Sequence, residues 1–287
     1  MMTPIRLPRN RLFLLLVGLL LCPSISPAVA QEALFPDKNL EAVVRKYVFE
    51  KRNNTEALTD KDVENISGIE GKGQKIRDLR GLEKCVSLAL LDLEGNDIAD
   101  IDAIGELKNL QSVNLAKNRI GDLTALRGLT NLQYLHLAEN RVVDLEPLTE
   151  LKNLRSLYLS GNKIKDLTPL AGLTKVWSLY LDRNRVTDLG PLHGMKWLSS
   201  LDLRKNQVAD LSPLRELSEL KYLFLDENKI TSLGVLVEMA QKDSEDQQRF
   251  SPFWRIYVAG NPLGDDARAE IEKLKELGGR ISEEPTP

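Results

Sequence analysis

Apolar residues recur along the chain with a period of 22, and an asparagine keeps time with them. Asn96, Asn118, Asn140, Asn162, Asn184, Asn206 and Asn228 stand 22 residues apart. Leu132, Leu135, Leu137, Asn140, Val142, Leu145, Leu148 and Leu151 are followed one period later by Leu154, Leu157, Leu159, Asn162, Ile164, Leu167, Leu170 and Leu173. Such a period marks a coil that stacks on copies of itself, because one unit cannot bury its own apolar face. A degenerate copy precedes these, with Ile66, Ile69, Ile76, Asp78, Leu79, Leu82 and Cys85 in frame and Gln74 where asparagine belongs. A last copy follows, matched by Phe253, Ile256, Val258, Asn261 and Leu263. Asn261 lies 33 residues beyond Asn228, so eleven are inserted, around 241–252, where the KDSEDQQR stretch reads as an exposed loop or a helix extension.

Within each unit the x-L-x-L-x segment predicts a short strand, its leucines facing inward and the residues between them facing solvent. The asparagine then turns the chain. Its amide can donate to and accept from backbone groups left unpaired inside the coil, so Asn96 through Asn228, with Asn261, are expected to form a ladder. Four residues after each ladder asparagine stands Asp100, Asp122, Asp144, Asp166, Asp188 or Asp210. This column is read as the N-caps of short convex-side turns rather than as metal ligands, since Leu-x-Pro-Leu follows in several copies. Pro147, Pro169, Pro191 and Pro213 suit a first turn, whose amides have no helical partner.

Both ends of the array need a seal. Leu40, Val43, Val44, Tyr47 and Val48 have helical spacing, and a second short helix can start at Thr59 with Asp62 completing a capping box. At the other end Asp265 or Asp266 can cap a helix through Ile271, Leu274 and Leu277, stopped at Gly278-Gly279. The expected organisation is a signal peptide over 1–30, a helical cap over 31–65 and repeats over 66–263. A capping helix over 264–280 and a disordered tail over 281–287 complete it.

The L-x-x-L-x-L-x-x-N-x-L units with their N-x-I-x-D-L-x-P-L turn, and the F-P-D-K-N-L-E-A-V-V-R-K segment before them, resemble bacterial internalin-like leucine-rich-repeat proteins. The resemblance spans residues 35–277. It implies an α/β-repeat fold: a right-handed leucine-rich-repeat solenoid with a concave parallel sheet, convex short 3-10 turns and helical caps at both ends. It also implies a protein ligand on the concave face. The chain departs from the class in having no LPXTG-like sorting signal and no immunoglobulin-like domain after the repeats, so wall attachment is not expected.

If the concave sheet binds, its outward columns can be enumerated. Four residues before each asparagine stand Asp92, Asn114, His136, Tyr158, Tyr180, Asp202, Phe224 and Tyr257. Six before stand Leu90, Ser112, Tyr134, Ser156, Ser178, Ser200, Tyr222 and Arg255, with Trp177 and Trp254 one residue further back. His136, Tyr158 and Tyr180 should form an aromatic strip that Tyr222, Phe224 and Tyr257 extend beyond Asp202. Arg183 and Arg204 belong to a charged rim with Glu139, Asp182, Lys205, Asp226 and Glu227. Aromatic anchors of this kind dominate protein interfaces. Cross-strand stacking for stability alone is the competing reading.

Composition narrows the rest. Arg6, Arg9 and Arg11, the apolar run Leu12–Leu21 and Ala28-Val29-Ala30 have the layout of a secretory signal cleaved after Ala30, with lipidation at Cys22 the alternative. Ten apolar residues are too few to span a bilayer. Cleavage removes three arginines and no acids, taking the net charge from −3 to −6. An acidic chain offers no electrostatic footprint for nucleic acid. The expectation is therefore an exported, secreted or periplasmic, monomeric binding module for a protein or peptide, with no cofactor, no metal and no membrane span. A regulatory subunit docking an exported enzyme and a glycan-binding protein are the alternatives. A hydrolase centred on His136, with Ser112, Ser156 and Asn114 nearby, lacks an orienting carboxylate and shelter from water. Cys85 occupies a leucine position of the repeat and is read as core.

Overall fold

The computed structural model describes residues 1–2, 33–246, 249–250 and 254–284. Residues 3–32, which hold nearly all of the stretch read as a signal peptide, with Cys22 and Ala30, lie outside the described residues, as do Phe253 and the last three residues. Residues 33–287 form one unit.

Two short helices, α1 (Lys38–Arg45) and α2 (Asp60–Val63), precede a sheet built one strand per repeat. The strands are β1 (Gly68–Glu70), β2 (Leu90–Asp92), β3 (Ser112–Asn114), β4 (Tyr134–His136) and β5 (Ser156–Tyr158). They continue as β6 (Ser178–Tyr180), β7 (Ser200–Asp202), β8 (Tyr222–Phe224), β9 (Arg255–Tyr257) and β10 (Arg280–Ser282). All pair in parallel in sequence order, giving a ten-stranded sheet. Register is held by the repeat itself: Tyr134 faces Ser156, Leu135 faces Leu157 and His136 faces Tyr158. Opposite the sheet, single 3-10 turns such as Glu146–Leu148 and Thr168–Leu170 close each coil, so the architecture is a leucine-rich-repeat solenoid.

The inward leucines make one continuous core, with Leu135, Leu157, Leu179 and Leu201 all at 0% exposure. Within it the ladder asparagines replace the hydrogen bonds that a turning backbone loses. Asn162 Oδ1 accepts from Val142 N–H at 2.9 Å, and its Nδ2 donates to Leu137 O and Leu159 O, each at 2.9 Å. The same three bonds recur at each step from Asn96 to Asn261. Gln74 reaches only the carbonyl of its own loop, at Lys72, so the ladder starts one coil later.

The aspartate column works one residue earlier than a true N-cap. Each carboxylate accepts from the N–H two residues on, as in Asp144 with Glu146 at 2.9 Å, while the residue between, here Leu145, occupies the cap position. Six copies of this Asx-type turn replace the side-chain N-caps read from the sequence.

At the N-terminal end α1 buries Leu40, Val43 and Val44 against the first coil. Val43 sits so close to Gly71 that a Cβ there would lie 3.0 Å from it. Asp37 joins cap to array: one carboxylate oxygen caps α1 at Asn39 and Leu40, and the other accepts from Arg77 N–H at 2.8 Å. Burial works to raise its pKa, but the four backbone N–H donors outweigh it and hold the carboxyl below its usual range. Within α2, the Asp62 carboxylate accepts from Thr59 N–H at 2.6 Å and from Lys51 Nζ at 2.8 Å.

The insertion begins inside a helix, α3 (Gly234–Glu245), so of its two readings the helix extension holds there. The C-terminal end differs from the sequence reading in two respects. The following helix, α4 (Ala267–Glu276), starts after Asp266 with no side-chain cap bond. Its terminal Gly278-Gly279 turn leads into β10 where a tail was expected, because β9 would otherwise expose an unpaired edge. Arg280 N–H reaches Trp254 O at 2.8 Å, and Val258 N–H reaches Ser282 O at 3.0 Å.

Cys85 is fully buried among the first coils, and burial pushes its thiol up to about 12. The free-thiol reagent DTNB should therefore fail to modify it in the native protein and react only as denaturant unfolds the array. The raised value also sets a sign: the folded state holds this proton better, so its contribution is full below the unfolded value near 9.0 and is lost as pH rises towards about 12. Rapid modification under native conditions would show that the first coil opens.

Candidate functional site: an aromatic strip and its flanking cleft

The period-two alternation of each strand puts residues of the −4 and −6 columns on the open face of the sheet. There Tyr134, His136, Tyr158 and Tyr180 meet. His136 and Tyr158 have ring centroids 4.8 Å apart, and Tyr134 and Tyr158 are 5.4 Å apart. Tyr158 and Tyr180 stack at 4.8 Å with only 11° between their planes. Further along, Phe224 and Tyr257 stack at 4.8 Å and 8°. Tyr222 is exposed beside them, beneath the Arg255 guanidinium at 5.9 Å.

The two runs are separated by a buried charge. Asp202 is 1% exposed, and Arg204 folds over it with bonds of 3.0 Å from Nε to Oδ1 and 2.6 Å from Nη2 to Oδ2. The same guanidinium lies 5.3 Å from the Phe224 ring centroid. Burial raises the Asp202 pKa despite the arginine. Arg183 bonds Glu139 and lies 3.4 Å from Asp182. Both rim arginines read from the sequence are thus already engaged within the protein.

His136 is half-buried, and burial lowers its pKa, so the imidazole is neutral at pH 7. Its Nδ1 lies 3.4 Å from Tyr134 Oη, and Ser156 Oγ accepts instead from Trp177 Nε1 at 3.0 Å. The geometry therefore holds the ring as part of a stacked surface, with Tyr134 rather than a carboxylate on its nitrogen. Among the described residues no group of His, Cys, Asp and Glu side chains converges as metal ligands do.

The two tryptophans read as equivalent have opposite surroundings. Trp177 is 51% exposed, whereas Trp254 is 1% exposed and stacks on Phe250 at 4.2 Å. The inserted segment brings Phe250 against it, and Trp254 Nε1 finds no partner among the described residues. Trp254 is a core residue.

Sequence reasoning missed Trp197, which is 67% exposed. It lines a cleft of about 710 Å³ beside the strip, together with Trp177, Tyr180, Tyr222 and Phe224. A signal existed in the period. Nine residues before their ladder asparagines, Asn109, Asn131 and Asn153 each donate to a carbonyl of the preceding coil, at 2.9, 2.8 and 2.9 Å. In the next three repeats that position holds Lys175, Trp197 and Glu219, all of which line the cleft.

Comparison with known proteins agrees with this architecture. The family profile for leucine-rich repeats in two copies matches residues 86–128, 130–172 and 178–216. No curated protein matches the sequence. Internalin C2 of Listeria monocytogenes is similar in structure at a TM-score of 0.69 and 32% identity, covering 72% of this chain and 91% of its own. The functional domain of internalin J from the same organism superposes at a TM-score of 0.60 and 22% identity, covering 80% of this chain and 52% of its own, a likeness of fold. The ectodomain of a plant receptor kinase from Arabidopsis thaliana, in complex with Casparian strip integrity factor 2, matches at 25% identity and a TM-score of 0.51. That match covers 57% of this chain and 21% of the ectodomain. Solenoids of this kind are in general binding scaffolds for proteins and peptides rather than enzymes, and no described helix is long and apolar enough to cross a membrane. By its repeat, its fold and its likeness to internalin C2, the chain belongs to the internalin-like bacterial leucine-rich-repeat proteins.

Proposed function

We propose that this protein is an exported binding module that recognises a protein or peptide on the open face of its sheet. One observation carries the reading: Tyr134, His136, Tyr158 and Tyr180 form an unbroken ring surface that faces solvent on the repeat positions free to vary. Rings that stack on one another are held in place before a partner arrives, so little conformational freedom is lost on binding. Tyrosine supplies a large contact area with a polar end, as interface anchors do. Export follows from the leader-like first thirty residues.

The test is capture of a partner from native extracts by cross-linking, with Tyr158→Ala/Tyr180→Ala as the comparison. Anchors of this type cost about 2 kcal/mol or more each when truncated, so the double variant should lose its partner altogether. Its circular dichroism should stay that of the parent, since ring stacking is worth only about 0.5–1.5 kcal/mol per pair. Equal capture by both proteins would move the binding surface away from the strip.

A further inference from the structure

The cleft beside the strip has chemistry of its own. Its floor is made of the small residues Ser178, Ser199 and Ser200, and its walls of Trp177, Trp197 and Tyr222. Those three rings are 51%, 67% and 40% exposed, so their apolar area adds little to the fold as it stands. Apolar surface gathered in this way is uncommon on a soluble protein unless something covers it. The repeat has also given up a structural hydrogen bond here, three times in succession, where Lys175, Trp197 and Glu219 replace the asparagines of earlier coils.

The cleft also has a charge of its own. Arg155, Lys175 and Lys221 border it, and none of them forms a salt bridge among the described residues. Lys175 Nζ bonds only the neutral Asn153 amide, at 2.8 Å, and the Arg155 guanidinium lies 6.0 Å from the Trp177 ring. The one carboxylate among the lining residues, Glu219, is bound by Arg249 from the inserted segment. A patch with three uncompensated cations thus stands on a chain whose net charge is negative. Opposite charge on a partner would both steer it here and fix its orientation.

We propose that this cleft seats an acidic peptide segment carrying one bulky apolar side chain. The apolar group lies between Trp177, Trp197 and Tyr222, and the carboxylates lie on Arg155, Lys175 and Lys221. This deepens the binding-module reading and rests on it. A peptide fits better than an acidic sugar, because the polar groups of the cleft are cations and hydroxyls. Its carboxylate is already taken and is not available to accept from sugar hydroxyls.

The site can be read by intrinsic fluorescence, since Trp177 and Trp197 are exposed while Trp254 is buried. Short synthetic peptides with a central Phe or Leu would be titrated into the purified protein, flanked by Asp/Glu, by Asn/Gln or by Lys/Arg. Oligogalacturonate serves as the acidic sugar. The acidic peptides should shift tryptophan emission to the blue and bind at least about tenfold more tightly than the neutral set, weakening with salt. Lys175→Glu/Lys221→Glu and Trp197→Ala should each cost about tenfold, and Lys163→Glu/Arg185→Glu, which reverses two exposed cations outside the cleft, should leave this binding intact. Binding indifferent to peptide charge, binding of oligogalacturonate in place of peptide, or no binding at all would overturn the proposal. A partner captured from extracts by Lys175→Glu/Lys221→Glu but not by Tyr158→Ala/Tyr180→Ala would overturn the cleft and leave the strip standing.

Discussion

Asn162→Ala should lower the unfolding temperature by about 10 °C, the largest effect of any single substitution considered. The alanine removes three hydrogen bonds at once and leaves the buried Val142 N–H without a partner, while Leu137 O and Leu159 O keep only their bonds from the Asn140 and Asn184 amides. The orphaned donor costs about 1–3 kcal/mol, and each of the two lost carbonyl bonds about 0.5–1.5 kcal/mol. Some relief comes from water entering the small space, so a total of roughly 2–4 kcal/mol is expected, at about 2–4 °C per kcal/mol for a domain of this size. The position matters as much as the magnitude. Asn162 joins coils in the middle of a quasi-one-dimensional array, so its loss should also broaden the transition as the two halves begin to melt separately. Gln74→Ala is the control: that amide reaches only Lys72 O in its own loop, and its loss should shift the midpoint by no more than a degree or two. Calorimetry of the two variants decides it, and equal shifts would mean that the ladder is not the device joining the coils.

Arg204→Leu is the second. It strips the partner from a carboxylate that is 1% exposed, leaving a buried charge uncompensated at a cost of about 2–3 kcal/mol near neutral pH. Part of the arginine is itself exposed, which keeps the figure below that of a wholly buried pair. The loss should depend on pH in a defined direction. Burial already raises the folded pKa of Asp202 above its ordinary 3.8, and removing the guanidinium raises it further. The folded state then holds the proton better than the unfolded state. Stability is full below the unfolded value and is lost as pH rises through the folded one. Urea midpoints of variant and parent should therefore converge at pH 4 and separate at pH 8. A deficit that does not change with pH would assign the cost to lost packing over Phe224 instead.

The parts of this structure that obey the period were legible in the sequence, and those that depend on a break in it were not. Leu135, Leu157 and Leu179 declare their strands because the same residue type returns every 22 positions. β10 does not, because Arg280-Ile281-Ser282 lies beyond the last asparagine. Its strand conformation comes from the open edge of β9 rather than from its own pattern. Trp177 and Trp254 share a repeat position, yet only an account of the insertion, which supplies Phe250, separates the exposed ring from the buried one. Asp202 is recognisable as an interruption of the aromatic column, but its burial depends on Arg204 folding back over it, a rotamer choice no periodicity encodes. The strip could be enumerated by column. The cleft could not, because Trp177, Trp197 and Tyr222 come from three different repeats and three different columns.

Strict register also makes copy number a variable independent of everything else. Each strand meets its neighbour residue for residue, so removing one whole period should close the gap without disturbing any column. Joining Leu181 to Arg204 excises 22 residues, Asp202 among them, and would set Tyr180 directly beside Phe224. The two aromatic runs would merge into one, and the cleft would vanish with Trp197 and Ser200. A lineage that gains or loses a coil can therefore exchange a divided recognition surface for a continuous one in a single recombination event, with no point mutation at the surface itself.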